Sequence, residues 1–81
     1  MTTREIIKDI MSTKNMTNAD MANILGLSQQ AFWDRINSKR NKSITVSKMN
    51  EMLKILGYEL VVMPRGKANR IDGAYLVDDL E

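Results

Sequence analysis

The run Thr17-Asn18-Ala19-Asp20-Met21-Ala22-Asn23-Ile24-Leu25-Gly26-Leu27-Ser28-Gln29-Gln30-Ala31-Phe32 holds, in order, a helix start, a helix end and a second helix start. Thr17 with Asp20 three residues on is a capping pattern, in which a hydroxyl and a carboxylate accept backbone N–H groups that the opening turn leaves without partners. Met21, Ala22 and Leu25 follow at helical spacing, and Gly26 stands where a helix ends on a left-handed residue. Ser28 then caps again. The spacing predicts a short helix over about Asn18 to Leu25 and another from Ser28 to about Asn37. With only Gly26 and Leu27 between them, the connection has to be a sharp turn.

Upstream, Thr2 and Glu5 form a capping-box pattern, and Ile6, Ile7, Ile10 and Met11 repeat at helical spacing, predicting a first helix from about Thr3 to Lys14. Downstream, Ser38 to Ile44 is almost without apolar residues and reads as a basic loop, ending at Thr45, which caps a further helix. In that helix Val46, Met49, Met52, Leu53 and Leu56 keep the period and Gly57 ends it. The methionines of this stripe read as core filler rather than a ligand site. Tyr58-Glu59-Leu60-Val61-Val62-Met63 is a β-rich run closed by Pro64, and predicts a strand. Arg65 to Gly73 is polar, and Ala74 to Val77 is a brief apolar run that either pairs with that strand or frays before the acidic end.

The chain has 81 residues, enough for one compact unit; residues 1–57 form its helical part and 58–81 a β extension with an acidic tail. A chain this short buries only about 60% of its unfolded surface, so oligomerisation is expected. Cysteine and histidine are both absent, which removes disulfides, thiol nucleophiles, imidazole bases and zinc-finger ligand sets. No carboxylates are paired by spacing into a recognisable site, so neither an enzyme nor a metal or cofactor is expected. No apolar run approaches the ~18 residues of a membrane span, and the alternating charges Arg4, Glu5, Lys8 and Asp9 are unlike a signal peptide. A cytoplasmic protein is expected. Net charge is only +2, but it is segregated: −1 over residues 1–34, +7 over 35–70 and −4 from there on. The basic segment points to an anionic partner.

Ala22, Gly26 and Phe32 stand four and six residues apart, the spacing of the small residue, turn glycine and first buried residue of a helix-turn-helix. A large side chain at Ala22 would push the two helices apart, and the turn needs a residue that tolerates positive φ at Gly26. At about 100° per residue, the helix after Ser28 puts Phe32 and Ile36 on one side and Gln30, Asp34 and Asn37 on the other. Gln29 and Gln30 lie in its first turn. On an isolated helix they would read as solvated; after a sharp turn from another helix they read as base-facing, since a glutamine amide can pair with adenine N6 and N7. Trp33, between the two sides, reads as packing against the preceding helix or the following loop. Lys39, Arg40 and Lys42 in one loop read as sequence-independent phosphate contacts. Arg65, Lys67 and Arg70 are open between a second phosphate patch and free solvent.

Over about residues 3 to 57 the chain resembles the Cro/C1 repressor family, also called the XRE family. The resemblance is carried by the run from Met16 through Thr17, Leu25-Gly26-Leu27-Ser28 and Gln29-Gln30, followed by Asn37, Lys39 and Arg40. It implies a mainly α, four- to five-helix, lambda repressor-like DNA-binding domain and a bacterial or phage transcriptional regulator, repressor-like, that grips a palindromic operator on double-stranded DNA as a homodimer. By carry-over Gln29, Gln30 and Asp34 face bases, and Thr17, Ser28, Asn37, Lys39, Arg40 and Lys42 face phosphates. Arg35 departs from the pattern, standing where the family usually has an aliphatic core residue. The tail resembles antitoxin-type repressors, in which a strand after the last helix pairs with its twin. Leu60, Val61, Val62 and Met63 are apolar on both faces and need covering, so Tyr58 and these four are expected to form the dimer contact. The rival reading is a protein-binding module, an antitoxin or phage inhibitor that grips a toxin or other protein.

Overall fold

The computed structural model describes residues 1–37 and 45–78. Four α-helices lie within them, α1 (Thr3–Thr13), α2 (Asn18–Leu25), α3 (Gln29–Asn37) and α4 (Val46–Ile55), followed by a single 3-10 turn at Ala68–Arg70. The protein is mainly helical. Each of the first two helices opens on the expected reciprocal cap: the Glu5 amide donates to the Thr2 hydroxyl, while Thr2 N–H donates to Glu5, and Thr17 and Asp20 do the same. Thr45 accepts from the Lys48 amide at the start of α4.

Three helices end in the same way. After α2, Leu27 N–H donates to Ala22 C=O at 2.8 Å; after α4, Tyr58 N–H donates to Leu53 C=O at 2.8 Å; after α1, Met16 N–H donates to Met11 C=O at 2.8 Å. Such a reverse bond needs a left-handed residue just before its donor. Gly26 (φ 73°) and Gly57 (φ 79°) supply it at two ends, and at the third it is Asn15 (φ 56°), among the few non-glycine residues that accept this region.

The apolar stripes meet in one core of Ile6, Ile7, Ile10 and Met11 from α1, Met21 and Ala22 from α2, Phe32 and Ile36 from α3, and Met49, Met52, Leu53 and Leu56 from α4 and its end. Val46 departs from expectation. It is half exposed (49%), because as the first residue of α4 it precedes the turn at which that helix meets the core. Leu25 packs on the core from its margin.

After Gly57 the chain forms an arm rather than a hairpin. No β-ladder occurs among the described residues, and 58–63 carries no regular structure. A strand exists only through a neighbour's hydrogen bonds, and the apolar run that could have provided them turns elsewhere: the Met1 amino group donates to Leu76 C=O at 3.0 Å and Asp78 N–H donates to Met1 C=O at 3.1 Å. Tyr58, Leu60, Tyr75 and Val77 pack against the helical core. Between the arm and Ile6, Ile10, Met49 and Leu53 an open, mostly apolar cavity of about 660 Å³ remains.

The arm is tied down by Tyr75, whose hydroxyl donates to the Asp9 carboxylate and whose ring tilts against that of Tyr58, centroids 6.3 Å apart. The bond to Asp9, helped by burial and by the carboxylate's charge, pushes the Tyr75 phenol up to about 12. A phenol raised above its unfolded value favours the folded state fully below that value, and the contribution is lost as pH rises through the folded one. Ultraviolet titration of the folded protein is therefore expected to show one tyrosine ionising late. In Tyr75→Phe that late step disappears, and in Asp9→Asn it moves back toward 10; a late step surviving Tyr75→Phe would refute the assignment.

Candidate nucleic-acid interface

The α2–α3 unit is built from its turn outward. The left-handed conformation at Gly26 (φ 73°, ψ 28°) lets the chain leave α2 and reach Ser28 at once. A Cβ placed there would meet no atom within 4 Å. The demand for glycine is thus one of backbone conformation alone, about 1–2 kcal/mol for another residue. The Ser28 hydroxyl accepts from the Ala31 amide at 3.0 Å, starting α3, and Phe32 and Ile36 enter the core beside Met21 and Ala22. The opposite face, Gln29, Gln30, Trp33 and Asp34, is left to solvent.

On that face Gln30 Nε2 donates to Asp34 Oδ1 at 3.0 Å, one helical turn away. A carboxylate accepts only from the NH₂ end of an amide, so this bond fixes which way the carboxamide points. The second amide proton and Oε1 remain available, the donor and acceptor that pairing with adenine N7 and N6 requires. Of the three residues expected to face bases, Asp34 thus orients Gln30, while Gln29 stands beside it.

The residues expected to face phosphates divide. Thr17 and Ser28 are N-caps; each hydroxyl oxygen accepts a helix N–H, and while the Thr17 side chain also engages the Asp20 carboxylate, the Ser28 hydroxyl keeps its proton to donate outward. The Thr17 backbone N–H, and after it the Thr17 side chain, hold the Asp20 carboxyl below the ordinary carboxylate range. That contribution to the cap is present above the unfolded value and lost as pH falls through the lowered one. Asn37 is turned back on its own helix, Nδ2 donating to Trp33 C=O at 3.0 Å. Lys39, Arg40 and Lys42 lie outside the described residues.

Of the residues expected to form a dimer strand, Tyr58 and Leu60 lean on the protein's own core. Lys14 Nζ sits over the Tyr58 ring, 5.9 Å from its centre. Val61 and Val62 are exposed, Val62 completely, and Met63 is half-buried.

Two side chains behave differently from their sequence reading. Arg35 stays outside the apolar core: its largely buried guanidinium reaches across to α4, with Nη1 3.6 Å from Glu51 Oε1. That nitrogen has no hydrogen-bond partner among the described residues. Trp33, expected to pack against the preceding helix or the following loop, is 48% exposed, because Phe32 and Ile36 occupy the side of α3 that meets the core; that loop lies outside the described residues. It lines an open recess of about 290 Å³ with Asn18, Gln29 and Gln30.

Among the described residues no group of three or more His, Cys, Asp or Glu could hold a metal ion, and no helix is long and apolar enough to cross a membrane. Comparison with protein-family models, with curated proteins and with solved structures finds no match to this chain.

Proposed function

We propose that this chain is a sequence-specific, repressor-like DNA-binding regulator of the Cro/C1 (XRE) type, with a lambda repressor-like domain that lays α3 in the major groove of a palindromic operator. The observation that carries the reading is the Gln30 carboxamide, held by Asp34 with an outward donor and acceptor on a helix that follows a left-handed glycine turn. Gln29, Gln30 and Asp34 form the base-facing set. The Thr17 and Ser28 hydroxyls, Asn37 and the loop cations Lys39, Arg40 and Lys42 face phosphates, fixing register without reading sequence. A homodimer would set two copies of α3 about 34 Å apart. The exposed pair Val61–Val62 supports one: in a second copy the same β-rich run would supply the strand partner it lacks among the described residues.

Gln30→Ala is expected to weaken binding to a selected operator by about 1–3 kcal/mol while leaving affinity for random duplex nearly intact. Titration of both duplexes at one salt concentration measures this; equal losses on the two would exclude base readout by Gln30. The second reading, a module that grips another protein, is favoured by the apolar exposure of Val61, Val62, Ile71 and Leu76 along the arm.

A further inference from the structure

Resting on the DNA-binding reading above, we propose that Trp33 reads a thymine methyl group in the major groove, beside the bases met by Gln29 and Gln30. Trp33 is the chain's only tryptophan, and a side chain of this size normally contributes most by burial. Here it is half exposed. Its neighbours in the recess are Gln29 and Gln30, four and three residues before it on α3, and Asn18 from the first turn of α2. The recess is therefore an apolar indole ringed by three carboxamides.

That composition selects among partners. Among the described lining residues an anion would find no cation and a metal ion no carboxylate. A wholly apolar surface would bury three amides without hydrogen-bond partners, at a cost of a kcal/mol or more each. An A·T pair presents in the major groove what the recess offers to meet: a donor and two acceptors for amides, and the C5-methyl of thymine for an apolar ring edge. A G·C pair has no methyl group. In an intact duplex the base faces are stacked away, so an edge contact to the methyl is the apolar contact open to the indole.

The test uses the full chain and a duplex enriched from random DNA. Each thymine is replaced in turn by uracil, which removes the methyl and nothing else, and affinity is measured for the unmodified protein and for Trp33→Ala. At one position in each half-site, uracil is expected to weaken the unmodified protein about fourfold, the worth of one buried methyl-sized group. Trp33→Ala should lose about the same on the thymine duplex and be indifferent to uracil there, while Trp33→Phe keeps most of the sensitivity. The mutated side chain lies off the core, and thermal melting of each variant checks its fold; if the alanine variant is destabilised, Trp33→Gln replaces it in the same cycle. Methyl sensitivity that is absent everywhere, or that persists unchanged in the variant, overturns the contact and leaves DNA binding standing. If no duplex is enriched at all, the DNA-binding reading falls with it, and a protein partner for this face becomes the account to pursue.

Discussion

Phe32→Ala is expected to remove 3–5 kcal/mol of stability, roughly the cost of truncating a fully buried phenylalanine, and to leave little of the cooperative fold. Phe32 has no exposed surface and is among the largest of the fully buried side chains. It is one of the two side chains by which α3 enters the core, the other being Ile36. At 0.05–0.15 kcal/mol per residue a chain of this length holds roughly 4–12 kcal/mol in all, so the loss is a large share of the total. Urea denaturation followed by circular dichroism should place the midpoint of the variant close to zero denaturant. Phe32→Leu, which keeps most of the volume, should retain a cooperative transition. A loss below about 1.5 kcal/mol for the alanine variant would mean that α3 is not anchored through this ring.

Ala22→Leu is expected to cost about 2–3 kcal/mol by overpacking. Ala22 is buried in α2, which packs against α3. Leucine is nearly as good a helix former as alanine, so the loss would report the approach of the two helices rather than the propensity of one. Ala31→Leu, on the exposed side of α3, is the control and should stay within about 0.5 kcal/mol of the parent. On the proposed function, Ala22→Leu also displaces Gln29 and Gln30 relative to Thr17, and operator affinity falls more than stability alone explains. An Ala22→Leu protein as stable as its parent would remove the packing basis for the small residue at this position.

The features that were legible in the sequence are those decided within a few residues. The caps at Thr2, Thr17, Ser28 and Thr45 appear in the structure as hydroxyls accepting helix amides, because a cap is a contact over three residues. The same locality explains Gly26 and Gly57. Asn15 carries the same signal in weaker form, since asparagine tolerates the left-handed region less readily than glycine, the usual marker.

The contacts that hold the arm were not legible, for a different reason. The bond from Tyr75 to Asp9 spans 66 positions, and that from Met1 to Leu76 spans 75, so no periodicity near either partner announces it. The β-rich composition of Tyr58 to Met63 describes a capacity for pairing, while pairing itself depends on a second strand. Arg35 shows the same limit within the candidate site. Its misfit among core residues was visible, but its reach to Glu51 on α4 depends on how two helices cross. The exposure of Trp33 likewise depends on which residues of α3 meet the core.

The central claim is that α3 reads operator sequence in a symmetric dimer, and selection of bound duplexes from random DNA near physiological salt, with the stoichiometry of the product measured, tests it most directly. The expected outcome is a palindromic consensus with half-site centres about one helical turn apart, held by two protomers and containing A·T pairs at the positions met by Gln29 and Gln30. Failure to enrich any sequence over random duplex would contradict it.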